Sequence, residues 1–404
     1  MAVGPSVLPV FHQIDGVRLG IASAGIKKAG RKDVVVIECP EGATVVGVFT
    51  KNAFCAAPVQ IAKQHLAQAT PRYLLINTGN ANAGTGKQGL VAAQQCCELL
   101  AAQMGVTAEQ ILPFSTGVIG EPLPVAKIEA VLSAAKQDLS EANWAVAGEG
   151  ILTTDTRAKG ATAAIEVNGQ LVHINGIAKG SGMIKPNMAT MLGFVATDAK
   201  IEHELLQQML RTATDRSFNR ITVDGDTSTN DACILIASGQ SAEINQADEA
   251  AMTAFQTALD DVMRSLAHDI VKDGEGATKF VEITVSHAAT QDEAIEVGFT
   301  VAHSPLVKTA LFASDANWGR ILAAVGRANV DALDVDKINI WLGDVQIVLN
   351  GGRNPDYTEA AGSAVMAETF IRIQIDLARG EVEDTVWTTD LSHDYVTINA
   401  DYRS

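Results

Sequence analysis

The chain has 404 residues, enough for two lobes, because one hydrophobic core rarely grows past about 250–300 residues. Hydrophobic residues make up 47% and charged residues 19%, which is a globular composition and not a disordered one. A net charge of -17 argues against a nucleic-acid partner, since phosphate recognition needs clustered cations.

From the N-terminus, the runs 33–38 (DVVVIE), 44–49 (TVVGVF) and 73–77 (YLLIN) are rich in apolar and β-branched residues and predict strands. Leu90, Val91, Cys97, Leu100 and Met104 recur at helical spacing and predict a helix over 87–104. Residues 125–137 read as another helix, entered after Pro122 and Pro124. Asn168-Gly169 lies between AIEV and QLVHI, a hairpin signal because both residues tolerate positive φ. Met252, Phe255, Leu259, Val262, Met263, Leu266 and Ile270 mark a long helix, expected to end with Gly274 in the left-handed conformation. Ile371, Ile373, Ile375 and Leu377 alternate with Arg372, Gln374 and Asp376, a strand with one wet face. Strands and helices interleave throughout without a linker or repeat, so a mixed α/β (α+β) fold is expected, with strand order left open.

The residues exclude several chemistries. Cys39, Cys55, Cys96, Cys97 and Cys233 form no CxxC pair, and the opening MAVGPSVLPVFHQIDG has no basic region before its apolar residues. No apolar run reaches the ~18–20 residues of a membrane span. A cytoplasmic protein with no membrane partner is the expectation. GSGMIK (180–185) has Lys185 where a dinucleotide fingerprint needs its third glycine, and GNANAGTGKQ (79–88) has Ala81 and Gln88 at required Walker A positions. TVDGDTSTND (222–231) brings Asp224, Asp226 and Asp231 together without EF-hand spacing, and reads as a structural turn with no metal.

Residues 177–193, IAKGSGMIKPNMATMLG, are too rich in glycine and proline for a clean helix or strand. Alone they read as a turn-rich loop. The segment nevertheless resembles the autoprocessing site of the ornithine acetyltransferase family. TGNANAGTG (78–86), STGVIG (115–120), ILTTDT (151–156), TVDGDTSTND, GEGATKF (274–280), SDANWGRI (314–321) and YVTINADYRS (395–404) are similar to that family's motifs, in the family's order.

The resemblance implies a two-lobed, sandwich-type core of the self-processing acetyltransferase and aminopeptidase-like kind. It implies a cut between Ala189 and Thr190, giving an alpha chain, 1–189, with the oxyanion hole, and a beta chain, 190–404, that begins with the nucleophile. The new α-amine, with a reference pKa of ~7.7–8.0, would serve as base for the Thr190 hydroxyl. Thr116 and Gly117 match the oxyanion pair, and Thr153, Lys179, Thr190, Glu275, Asn399 and Ser404 match substrate contacts, with Ser404 where the family commonly has threonine. The implied reaction is ping-pong acetyl transfer from N-acetylornithine to glutamate in arginine biosynthesis. It needs no metal or cofactor, and some members accept acetyl-CoA as a second donor. Two alpha and two beta chains are the expected heterotetramer. An N-terminal-nucleophile aminopeptidase or amidase, and a non-catalytic small-molecule-binding protein, stand as alternatives.

Overall fold

The structure, a computed structural model, describes residues 2–5, 7–185 and 191–400; Ala189, Thr190 and Ser404 lie outside the described residues.

Strand Val34–Glu38 shows how the first lobe is layered. Successive side chains of a strand point to opposite faces. Val35 and Ile37 therefore enter one apolar cluster, while Val34 and Val36 enter another. The run is continuously apolar because both faces are covered.

Its sheet has four strands, in the order Arg18–Ala22, Val34–Glu38, Tyr73–Asn80, Ile111–Val118, with only the last pair parallel. One face packs on helices Ala57–Gln68, Gly86–Met104 and Val125–Gln137 through Ile61, Cys97, Leu100, Ile128 and Leu132. The other meets a five-stranded sheet, where Leu19, Ile37, Leu74, Ile76 and Phe114 interdigitate with Ile177, Phe194, Ile234 and Ile236. That second sheet runs Thr44–Phe49, Ala232–Ala237, Leu192–Thr197, Gln170–Lys179, Lys159–Val167. Helices His203–Asp215 and Glu249–Lys272 cover its outer face through Leu206, Leu210, Phe255, Leu259 and Leu266. The layers are thus helix, sheet, sheet, helix, a sandwich-type α/β core. A six-stranded sheet within 280–389, with helices Gln291–Ala302, Pro305–Phe312, Trp318–Gly326 and Glu359–Ala367, forms a second lobe around its own apolar cluster.

The five-stranded sheet draws Thr44–Phe49, Lys159–Val167 and Gln170–Lys179 from before residue 189, and Leu192–Thr197 and Ala232–Ala237 from after it. Leu192–Thr197 is an interior strand, antiparallel to Gln170–Lys179 and parallel to Ala232–Ala237. In sequence, position 189–190 thus falls between two neighbouring strands of one sheet, while the lobes divide near residue 280.

The elements predicted from sequence are present, with two differences. Tyr73–Asn80 runs three residues beyond YLLIN, into a stretch whose Thr, Gly and Asn look like a turn. The long helix ends at Lys272 with Asp273 as its cap, and Gly274 is not left-handed. A Cβ at Gly274 would lie 3.1 Å from the Val271 carbonyl oxygen and 3.2 Å from Val223 Cγ2, a tight fit that those neighbours would have to relieve by shifting slightly. Asn168 and Gly169 have φ of 52° and 78° and join two paired strands as the hairpin signal requires.

Candidate active site

Three strand ends meet at one edge of the sandwich. Strand Ile111–Val118 delivers Thr116, Gly117 and Val118, paired in register with Thr78 and Gly79 until the ladder becomes irregular at Asn80. Gly117 has φ +132°, and a Cβ there would lie 2.4 Å from the Gly79 carbonyl carbon, so only glycine lets the two strands approach. Strand Gln170–Lys179 ends on Lys179, the register partner of Leu192. Met191 is buried, and its carbonyl accepts the Ala232 N–H at 2.9 Å, which fixes the chain just beyond position 190.

A cavity of about 270 Å³ opens there, lined by Thr116, Gly117, Thr153, Lys179, Glu275 and Asn399 together with Thr154, Ser228 and Asn230. Thus the oxyanion candidates and four of the substrate-contact candidates, far apart in sequence, share one space. Lys179 Nζ donates to Thr116 Oγ1 at 3.2 Å. The Thr116 hydroxyl, polarised by a cation on its oxygen, keeps its own hydrogen to donate elsewhere. Asn399 Nδ2 donates to one Glu275 oxygen at 2.8 Å, and the other Glu275 oxygen can meet a cation.

Electrostatics under the cavity come from a buried ion network. Lys159 bridges Asp155 at 2.7 Å and Asp273 at 2.6 Å, and all three side chains are fully buried. Asp155 also accepts the N–H groups of Thr153 at 2.9 Å and Gly180 at 2.7 Å, so it positions two backbone segments of the site. Burial alone would raise the Asp155 pKa, but Lys159 and Lys179 outweigh it and hold the carboxyl well below the usual range. For Lys179, burial and then Lys159 push the pKa down, while Asp155, Asp231 and Glu275 partly restore it. Burial raises Asp231 well above the usual carboxylate range despite Ser228 and Lys179. Its Oδ2 has no hydrogen-bond partner among the described residues.

Sequence reasoning missed Asn230, whose Nδ2 donates to the carbonyls of Ala81 at 2.6 Å and Ser115 at 2.9 Å and so ties the two sheets together at the cavity. It also missed Asp155, Lys159 and Asp273. The i,i+4 spacing of Asp155 and Lys159 was a weak signal, but nothing local pointed to Asp273. The aspartate-rich turn has a structural use, since Asp224 accepts the N–H groups of Met183 at 2.6 Å and Ile184 at 2.9 Å.

The profile of the ArgJ family matches residues 18–404. The chain belongs to the ArgJ family. A family relative from Pseudomonas syringae pv. tomato, an arginine biosynthesis bifunctional protein ArgJ, is 59% identical over 406 residues, covering 100% of both chains. Its counterpart from Pseudomonas fluorescens is likewise 59% identical, with 100% of both covered. A solved structure of the family protein from Bacillus halodurans is similar at 38% identity and a TM-score of 0.49, covering 51% of this chain and 97% of that one. Membership of this family does not favour the aminopeptidase or the non-catalytic alternative. Among the described residues, no helix is long and apolar enough to cross a membrane.

Proposed function

We propose that the chain transfers an acetyl group from N-acetylornithine to glutamate in arginine biosynthesis, through an acetyl ester on Thr190. The observation that carries this reading is the gathering of Thr116, Gly117, Thr153, Lys179, Glu275 and Asn399 around one cavity beside the start of strand Leu192–Thr197. Full-length relatives named as arginine biosynthesis bifunctional proteins support it. A cut between Ala189 and Thr190 frees the Thr190 α-amine and gives chains 1–189 and 190–404, with two of each in the assembly.

In the first half-reaction the α-amine takes the Thr190 hydroxyl proton as the oxygen attacks the acetyl carbonyl carbon. Thr116 and the Gly117 N–H stabilise the oxyanion. The carbon–nitrogen bond then breaks, and ornithine leaves with the proton from the α-ammonium. Glu275, steadied by Asn399, holds the δ-ammonium, and Lys179 supplies a cation for the α-carboxylate. Ser404 and Thr153 complete the substrate contacts. In the second half-reaction the neutral glutamate amine attacks the ester carbonyl and gives a proton to the Thr190 α-amine; the acyl carbon–oxygen bond then breaks, the Thr190 oxygen takes that proton back, and N-acetylglutamate leaves. Acetyl-CoA serves as a second donor to the same threonine.

The test is an intact mass spectrum under denaturing conditions. The 42.4 kDa chain should give pieces of about 20 and 23 kDa, the larger beginning Thr-Met-Leu-Gly. Thr190→Ala should remain a single inactive chain. Fragments in that variant, or an uncut wild type without acetyl transfer, would overturn the reading.

A further inference from the structure

The proposed acceptor poses a charge problem. N-acetylornithine carries an ammonium that suits Glu275, but glutamate carries a carboxylate at the same end of the molecule. Glu275 is only 8% exposed, so like-charge repulsion there is poorly screened. A single seat for both side chains is electrostatically inconsistent.

A second cavity, of about 220 Å³, adjoins the first and shares Gly117, Val118, Thr153 and Thr154 with it. Its remaining wall includes Lys27, Lys28 and Arg31. In a chain of net charge -17, the run KKAGRK (27–32) places four cations within six residues. The loop that carries them is held in place. Asp33, which also lines the cavity, has its carboxylate engaged by the N–H groups of Ala24 and Ile26, both at 2.6 Å. Lys127 Nζ donates to the Gly25 carbonyl at 2.6 Å. Arg31 donates to the carbonyls of Leu152 at 2.7 Å and Thr153 at 3.1 Å, which seats its guanidinium beside a residue common to both cavities. Lys32, which is not part of that wall, pairs with Glu149 at 2.7 Å.

We infer that this second cavity is an anion subsite for the substrate that follows N-acetylornithine: the ornithine ammonium goes to Glu275, and the carboxylate arm of the glutamate acceptor goes to Lys27, Lys28 and Arg31. The inference rests on the acetyl-transfer reading. It explains how one nucleophile serves two substrates of opposite side-chain charge, with the side chains diverging at the wall formed by Gly117 and Thr153. Phosphate oxygens of a thioester donor share this anion chemistry, so the assay separates the two sources.

The experiment uses the processed full chain and a Lys27→Gln, Lys28→Gln double variant. Four rates are followed: ornithine release from N-acetylornithine, discharge of the acetyl-enzyme by glutamate, its discharge by hydroxylamine (a neutral nucleophile), and acetylation by acetyl-CoA. Ornithine release and hydroxylamine discharge should match wild type, while the KM for glutamate should rise about tenfold, as loss of charge-assisted contacts predicts. The difference should narrow at high salt. Lys28→Arg, which keeps the charge, should behave as wild type. A rise confined to the KM for acetyl-CoA would keep the anion subsite but assign it to the donor phosphates. No change in any rate, or an equal fall in all four, would overturn the subsite. A wild type that forms no acetyl-enzyme would instead sink the acetyl-transfer reading.

Discussion

Replacing Lys159 by methionine tests the ion network beneath the site. Lys159, Asp155 and Asp273 are fully buried, and the lysine bridges both carboxylates. Removing one partner of a buried ion pair costs about 3–5 kcal/mol, because the remaining charge is left uncompensated in a poorly solvating interior. Here two carboxylates remain, but each keeps backbone help: Asp155 accepts from Thr153 and Gly180, and Asp273 from the Thr156 N–H at 3.0 Å. The lower end of the range, about 3 kcal/mol, is therefore expected. Against a typical total of about 5–15 kcal/mol, that is a large fraction. Urea unfolding followed by far-UV circular dichroism should show the midpoint move down with little change in slope. Activity should fall too, since Asp155, still bonded to Thr153 and Gly180, loses the ion pair that fixes its position and carries both segments with it when it shifts. A loss below about 1 kcal/mol with acetyl transfer intact would refute the claim that this lysine neutralises the two aspartates.

Gly117→Ala should lose acetyl transfer and at least about 1–3 kcal/mol of stability, since its Cβ would sit 2.4 Å from Gly79 carbonyl carbon and 2.6 Å from Asn80 N. Wild-type stability and rate in that variant would refute the close approach described for these strands. Acid stability provides another check. His268 packs against Phe280 and Trp387 at ring-centroid distances of 5.3 and 4.5 Å, and burial, then Lys272 and Arg264, push its pKa down to about 4. Between pH 6.5 and about 4 the unfolded chain therefore binds a proton that the folded chain does not, and stability falls as pH drops through that window. His268→Phe should flatten the fall in urea midpoints between pH 7 and 4.5. His303, pushed down to about 3 mainly by burial, leaves some slope in place. Identical slopes in variant and wild type would refute the assignment to His268.

Much of the fold was legible because its signals are local. TVVGVF and residues 125–137 were placed at their observed bounds, and the Asn168-Gly169 hairpin follows from two residues. The alternation of Ile371, Ile373 and Ile375 with Arg372 and Gln374 appears as a buried and an exposed face. Strand order was not legible, since pairing Ala232–Ala237 with both Thr44–Phe49 and Leu192–Thr197 is decided by tertiary packing. For the site, Thr116, Gly117, Thr153, Lys179, Glu275 and Asn399, carried by the family resemblance, line one cavity, while Ala189, Thr190 and Ser404 lie outside the described residues. Asn230 and Asp273 gave no signal because their partners, at Ala81, Ser115 and Lys159, are remote in sequence. Asn77, Asn80 and Asn82 were not singled out, yet all three are buried and bond the strand ends to one another.

The five-stranded sheet carries a consequence for reversibility. Its interior strand Leu192–Thr197 lies on one side of the 189–190 junction and its neighbour Gln170–Lys179 on the other. With the peptide bond intact, reassembly of this sheet is unimolecular and independent of concentration. If the proposed cut breaks that bond, the same ladder must be rebuilt by an encounter between two chains, neither of which holds all five strands. Recovery after denaturation then becomes second order in protein, and dilution alone decides whether the molecule returns.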